Sequence, residues 1–158
     1  ESRLAFAPRF SLLLPTGDSD QERGFGGTSL QANLPASIVL APRWVAHLNA
    51  GGTITPSAKN RSGEEGSVAG FTLGQSFVWL AHPRFNVLLE TLWSGQGAVP
   101  EPGRASFSHS LFVAPAVRWA HDFRNGLQIV PGLGVAFGAG PSSGETAVLV
   151  YLSFEHPF

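Results

Sequence analysis

The amino-acid sequence predicts an all-β fold, an up-and-down antiparallel β-barrel of eight strands that forms one domain over residues 1–158. Three observations support this prediction. Apolar side chains alternate with polar or small ones along eight segments, long and short connections alternate between these segments, and the helical period of 3.6 is almost absent. Most segments have about ten or more residues, longer than the strands that are usual in soluble sheets.

The alternation is clearest near the amino terminus. In the first segment the even positions from Leu4 to Leu14 are apolar, whereas the odd positions include Arg3 and Arg9. The eight predicted strands, in order, are Leu4–Leu14, Ser29–Leu40, Trp44–Ile54, Ala69–Ala81, Phe85–Trp93, Ala105–Trp119, Leu127–Phe137 and Thr146–Phe158. Each therefore has two chemically different faces, as a β-strand with one side against a different medium requires.

The connections between these segments also alternate. Those after the odd-numbered strands are polar and rich in Gly and Pro, reading PTGDSDQERGFGG, PSAKNRSGEEG, SGQGAVPEPGR and AGPSSG. Those after the even-numbered strands are short turns at Ala41-Pro42, His82–Arg84 and Arg124–Gly126. Long loops at one end and tight turns at the other are typical of an up-and-down barrel.

Face chemistry favours a membrane over water as the medium outside the barrel. Only 13% of the residues are charged, the single lysine, Lys59, falls in a predicted loop, and the polar faces carry mainly Gly, Ala, Ser, Thr and Asn. Aromatic residues fall near both ends of the apolar faces, as two belts at the bilayer interfaces would. They are Trp44, Trp79, Phe85, Trp119, Phe154 and Phe158 near the tight turns, and Phe71, Trp93, Phe107 and Phe137 near the long loops. The alternative is that these are core aromatics of a β-sandwich.

Composition excludes several classes of protein. The net charge of -1 gives no electrostatic basis for nucleic-acid binding, and the absence of cysteine excludes disulfides and thiolate metal sites. There is no run of 18 or more apolar residues, so no transmembrane helix is expected. No signal-like segment precedes Glu1, so we expect any export signal to have been removed. No cofactor is expected.

The carboxy-terminal segment VLVYLSFEHPF alternates and ends on an aromatic residue. It resembles the terminal signal of bacterial outer-membrane proteins that the barrel-assembly machinery reads, with Phe154 and Phe158 in the recognised positions and His156 departing from the pattern. The stretches APRFSLLLPTG, LPAS, APAVRWAH, GLQIVPGLG and YLSFEHPF together resemble the transporter-like outer-membrane family associated with the phenol-degradation meta pathway. That resemblance implies a bacterial outer-membrane location and a transport role without a specified substrate. Because members are usually larger barrels, this chain is expected to be a compact relative or to lack amino-terminal strands.

Catalytic motifs are missing from the sequence. The five histidines are scattered without metal-binding spacing, and neither HExxH nor GxSxG occurs. His109 lies between Ser108 and Ser110, but alternation puts the histidine on the opposite face from both serines. We therefore predict that the protein is not an enzyme. A lipid-modifying enzyme is the weakest of three hypotheses.

Ionisable residues on the predicted inner faces allow the other two hypotheses. These residues are Arg3, Arg9, Arg43, Glu90, Arg118, Asp122 and Glu155. Charges in a narrow interior need partners, so they predict either a salt-bridge network that fills a structural or partner-binding barrel, or the lining of a narrow, slightly cationic passage for small, apolar or aromatic compounds.

Four prolines lie inside predicted strands, where each removes a backbone donor. Folding at the loops predicts that Pro8 lies roughly opposite Pro35 and that Pro115 lies roughly opposite Pro131. Two interpretations remain: a pair of β-bulges that bend the wall, hinted at by the opposite parities of Pro8 and Pro35, or a lateral gap for an apolar molecule. The gap is better placed at Pro115 and Pro131, which share a parity and have small neighbours.

Overall fold

The structure is a computed structural model that describes residues 3–17, 24, 26–60, 62–100 and 107–156. These residues form ten β-strands in one antiparallel sheet, with one turn of 3-10 helix at Gly140–Ser142 and no α-helix. In chain order the strands are β1 (Leu4–Phe6), β2 (Arg9–Leu13), β3 (Ser29–Ala41), β4 (Trp44–Lys59), β5 (Glu65–His82), β6 (Phe85–Gly97), β7 (Phe107–Trp119), β8 (His121–Asp122), β9 (Gln128–Gly138) and β10 (Thr146–Glu155). Over the same described ranges, no helix has the length and hydrophobicity needed to cross a lipid bilayer.

The all-β, antiparallel, up-and-down arrangement is confirmed, but the predicted count of eight strands is wrong. Ten strands occupy eight positions, because β1 and β2 both pair with β3, while β7 and β8 both pair with β9. The register does not change across either interruption: Phe6 lies opposite Ala36 and Arg9 lies opposite Asn33, as one continuous strand would place them.

Proline explains the break between β1 and β2, and a further gap within β7, through the direction of its missing N–H. Ala7 N donates to Pro35 O at 3.1 Å, but Pro35 has no N–H with which to bond back. On the other side of the sheet, Ala139 N donates to Leu111 O at 2.8 Å, so odd-numbered residues of β7 direct their backbone groups toward β9. Pro115 therefore removes a donor from the β7–β9 ladder, whose pairing is absent between Val113 and Ala116.

Pro8 lies within one residue of direct opposition to Pro35, roughly as predicted, whereas the predicted pairing of Pro115 with Pro131 is wrong. The register places Pro8 opposite Leu34 and Pro115 opposite Val135, while Pro131 falls opposite Trp119, where β7 ends. Pro35, Pro115 and Pro131 therefore each lie at a gap in the pairing, whereas Pro8 lies beside the gap at Pro35 with its missing N–H directed away from β3. These positions are missing rungs rather than β-bulges, because the register is unchanged on either side of them. Register shifts occur elsewhere, between Val39 and Ala41, between Thr55 and Ala58, and between Trp79 and His82.

The sheet is open, so the predicted closure into a barrel is not observed. Among the described strands, β10 pairs with β9 alone, and neither β1 nor β2 pairs with it. Alternation along a strand is the same in an open and a closed sheet, which is why the sequence pattern did not distinguish them. The accessible surface is 10581 Å². A compact protein of 16.7 kDa would expose about 7,600 Å². The excess is consistent with a single layer.

The two faces of this layer differ in exposure, and the apolar face is the exposed one. Phe10 on β2 is 83% exposed and Val150 on β10 is 81% exposed, whereas Thr55 and Val78 on the opposite face are fully buried. A single sheet shields one face only by curving toward it, so that face is concave. We call it the shielded face and its opposite the apolar face.

Candidate functional site

The shielded face carries small and polar side chains that hydrogen-bond across strands. Ser29 Oγ lies 2.6 Å from Thr55 Oγ1, and Ser94 Oγ lies 2.7 Å from Ser110 Oγ. Around these pairs the face is lined by Gly51, Thr53, Gly70, Thr72, Gly74, Ala114, Ala116, Gly132, Gly134 and Ala136. Such short side chains leave the concave side open rather than filling it.

One row of this face brings together four polar residues from four adjacent strands. In register order, Ser37 on β3 lies opposite His47 on β4, which lies opposite Ser76 on β5, which lies opposite Glu90 on β6. The Ser37 hydroxyl lies 2.9 Å from His47 Nδ1. The buried Ser76 hydroxyl has no hydrogen-bond partner, which is unusual for a buried polar group. We call these four residues the central polar row.

Glu90 lies where three recesses of the shielded face meet. A recess of about 330 Å³ borders Glu90 together with His47, Ser76 and Leu92. A second, of about 280 Å³, borders Glu90 with Leu92, Phe112, Ala114, Ala136, Ala147 and Leu149. The third, of about 230 Å³, borders Glu90, Leu88, Ala116, Arg118, Leu149 and Tyr151. A solute on the concave side would therefore meet this carboxylate from several directions.

The register places on the shielded face those residues of the predicted lumen set that have a cross-strand partner. Arg9 lies opposite Asn33, Glu90 opposite Ser76, Arg118 opposite Asn86, and both Asp122 and Glu155 opposite Gln128. Arg3 continues the same parity on the first strand, and Arg43 lies in the turn between β3 and β4.

The salt-bridge network predicted among these residues is not seen in the described part of the chain. The ion pairs found there are Lys59 Nζ to Glu65 Oε1 at 3.1 Å and Arg84 Nε to Asp122 Oδ2 at 2.9 Å. Neither joins two members of the lumen set, although Asp122 belongs to it. Both pairs are largely exposed, and such pairs contribute little to stability.

The aromatic residues of the apolar face form two groups at opposite ends of the strands. At the tight-turn end, Trp44 stacks on Trp79 with ring centroids 6.2 Å apart, and Phe85 lies opposite Trp119. At the long-loop end, Phe71, Trp93, Phe107 and His109 form one cluster, in which the Phe107 and His109 centroids are 4.9 Å apart. Phe137 and Phe154 are exposed on the same face.

The residues of the predicted assembly signal and those considered for catalysis lie in different parts of the chain. Phe158 lies outside the described residues, so of the predicted signal only Phe154 is seen. His109 faces the aromatic cluster, away from Ser108 and Ser110, as alternation predicts. In the described ranges, no three His, Cys, Asp or Glu side chains lie close enough to hold a metal ion.

Sequence reasoning missed the central polar row, apart from Glu90. His47 and Ser37 are separated by a turn and Ser76 lies on a third strand, so only the register brings them together. The sequence signal for this row was weak, because each residue is simply a polar residue on the face of its strand that carries small side chains.

Comparison of the chain with protein families, with curated proteins and with solved structures finds no match.

Proposed function

We propose that this chain spans the bacterial outer membrane as a closed β-barrel whose lumen passes small compounds. The observation that carries the proposal is the inversion of the two faces: most of the exposed large apolar side chains lie on one face, whereas the shielded face carries mainly small or polar ones, with Leu92, Leu149 and Tyr151 among the exceptions. In water that arrangement exposes an apolar area far larger than a monomer tolerates, whereas lipid contacts such a surface favourably. The lipid bilayer is therefore one proposed partner. The other is the barrel-assembly machinery, which the resemblance of the carboxy-terminal segment implies.

Closure is proposed because a membrane does not tolerate open sheet edges. The two edges have matching geometry: Leu4–Leu13 and Thr146–Glu155 each span ten residues and run antiparallel. Cα partners across the sheet lead from Phe6 through Ala36, Leu48, Gln75, Thr91, Val113 and Phe137 to Thr146.

Complete overlap of the two edges would instead bring Phe6 opposite Ser153, which lies 7 residues beyond Thr146 on β10. We call this offset between the two edges the stagger. Closing an eight-position barrel needs a stagger of about 8 residues. A stagger of this size pairs Phe6 with Phe154 and Ala5 with Glu155, and it keeps each residue on its own face.

Paired cysteines test the closure in a chain that has none of its own. We expect Ala5→Cys with Glu155→Cys to form a disulfide under mild oxidation when the protein is folded in lipid vesicles. The control pair is Ala5→Cys with Ala147→Cys, whose residues align only if the stagger is zero. Equal crosslinking of both pairs, or crosslinking of neither, would contradict the proposed barrel.

Transport is proposed because short side chains predominate on the shielded face. Eight strands enclose a space just large enough for side chains or one small ligand, so Gly, Ala, Ser and Thr linings leave room for a solute. The resemblance noted above implies a transport role without a specified substrate, and we propose small apolar or aromatic compounds as the solutes. The alternative is a non-conducting barrel filled by paired charges. The described ion pairs do not support it, because neither joins two residues of the predicted lumen set.

Conductance of the purified protein in planar bilayers tests passage directly. We expect small but steady current steps, together with uptake of labelled aromatic solutes by cells that depends on the protein. A barrel that folds and crosslinks as above, yet carries no current and no solute, would favour the structural alternative.

A lateral exit between β7 and β9 stays a prediction. Its support is the missing pairing at Ala114 and Pro115, directly beside the 280 Å³ recess that Ala114 and Ala136 line. Disulfide crosslinking of Ala114→Cys to Ala136→Cys should then block uptake of an apolar solute without changing ionic conductance along the axis.

A further inference from the structure

The smallest recess beside Glu90 has opposite charges on its lining. Glu90 on β6 and Arg118 on β7 both border the 230 Å³ recess. Ala114 lies opposite Glu90, and Arg118 follows four residues later, so the two positions are roughly 13 Å apart along the strand at about 3.3 Å per residue. Between them the lining is apolar and small, from Leu88, Ala116 and other residues.

These two charges do not compensate each other. The ion pairs among the described residues include neither Glu90 nor Arg118. With the Asn86 amide oriented to satisfy its neighbours, its oxygen accepts a hydrogen bond from Arg118 Nε at 3.1 Å. That bond positions the guanidinium and uses one of its five N–H donors.

Charge complementarity narrows the class of ligand. In a narrow lumen an unpaired charge is costly, and a simple cation or anion would compensate only one of the two side chains. A zwitterion compensates both, with its ammonium at the carboxylate and its carboxylate at the guanidinium. Its middle must be apolar to match Leu88, Ala116 and Leu149.

The size of the recess sets the size of the ligand. The recess of about 230 Å³ is smaller than the roughly 300–1,000 Å³ of pockets for drug-sized ligands, so it selects a smaller molecule. A linear ω-amino acid such as 5-aminopentanoate is such a molecule and places its charges at opposite ends.

We propose that this recess is a binding site for small zwitterions with an apolar middle, which Glu90 and Arg118 hold at opposite ends. The proposal rests on the proposed lumen and adds a class of solute that binds there, besides the apolar or aromatic compounds proposed above. It also gives Glu90 a binding role rather than a place in a structural salt-bridge network.

Calorimetric titration of the micelle-folded full chain with three probes of equal chain length tests this inference. The probes are 5-aminopentanoate, pentylammonium and pentanoate. Since each charged contact is worth about tenfold to a hundredfold in affinity, we expect 5-aminopentanoate to bind at least about tenfold more tightly than either single-charge probe.

Two variants assign the ends. Glu90→Gln should remove the advantage of 5-aminopentanoate over pentanoate, and Arg118→Gln should remove its advantage over pentylammonium. The matched controls are Glu155→Gln and Arg9→Gln, which make the same changes on the same face outside the recess, and these should leave all three affinities unchanged.

Folding is checked separately by the cysteine crosslink between positions 5 and 155. If the crosslink forms and the three probes bind equally, or none binds, the zwitterion site is wrong while the barrel stands. If the crosslink does not form in lipid, the barrel fails first. If Glu90→Gln and Glu155→Gln have equal effects, the recess is not the site.

Discussion

Two leucines of β6 offer a direct test of which face contacts lipid. Leu89 is 46% exposed on the apolar face, and Leu92 is 45% exposed on the shielded face, where it borders two recesses. They lie on either side of the middle of a 13-residue strand. The pair therefore matches residue type, exposure and depth, and differs in the face alone.

Replacing each leucine by arginine has different expected costs. Leu89 lies two residues from the middle of the strand, which is about 7 Å along it and roughly 5 Å in depth at a tilt near 45°, well inside an apolar band about 25 Å tall. Leu89→Arg should therefore lower the free energy of unfolding by about 2–4 kcal/mol, or roughly 30- to 700-fold in the folding equilibrium. Leu92→Arg should cost less than about 1 kcal/mol, because its guanidinium reaches the polar lumen near Glu90.

The measurement is urea-dependent folding into lipid vesicles, followed by the fluorescence of the four tryptophans. The same two variants are compared in the absence of lipid. Equal costs for the two variants in vesicles, or a larger cost for Leu92→Arg, would refute the assignment of the faces. A wild-type chain that is monomeric and soluble without detergent would refute it independently.

Two further perturbations follow from the structure. Pro115→Val restores an N–H toward Val135 and should raise the free energy of unfolding by about 1 kcal/mol, seen as a higher urea midpoint at an unchanged slope; a lower midpoint would contradict the proposed direction of that donor. Ser76→Ala removes a buried hydroxyl without a partner and should be neutral or stabilising, whereas Ser37→Ala removes the partner of His47 Nδ1 and should cost about 1 kcal/mol in the same titration.

The sequence by itself determined the local features of this protein. Period-two alternation located the eight strand positions and assigned each side chain to a face, because both depend on a residue and its immediate neighbours. Gly- and Pro-rich segments located the turns for the same reason. Glu90 and Arg118 were therefore assigned correctly to one face before any pairing was known.

Tertiary structure decided which residues meet across strands. Pairing is fixed by the partner strand and by turn lengths to the single residue, so estimates from loop centres misplaced Pro115 against Pro131 when it faces Val135. The same exact register brings His47 beside Ser37 and Ser76 beside Glu90. Closure depends on edges that lie far apart in the chain, and no local pattern specifies it. The physical reason is the range of the interactions. The face on which a side chain lies follows from its immediate neighbours in the chain, whereas the register, the recesses and the sheet edges depend on strands that are distant in sequence.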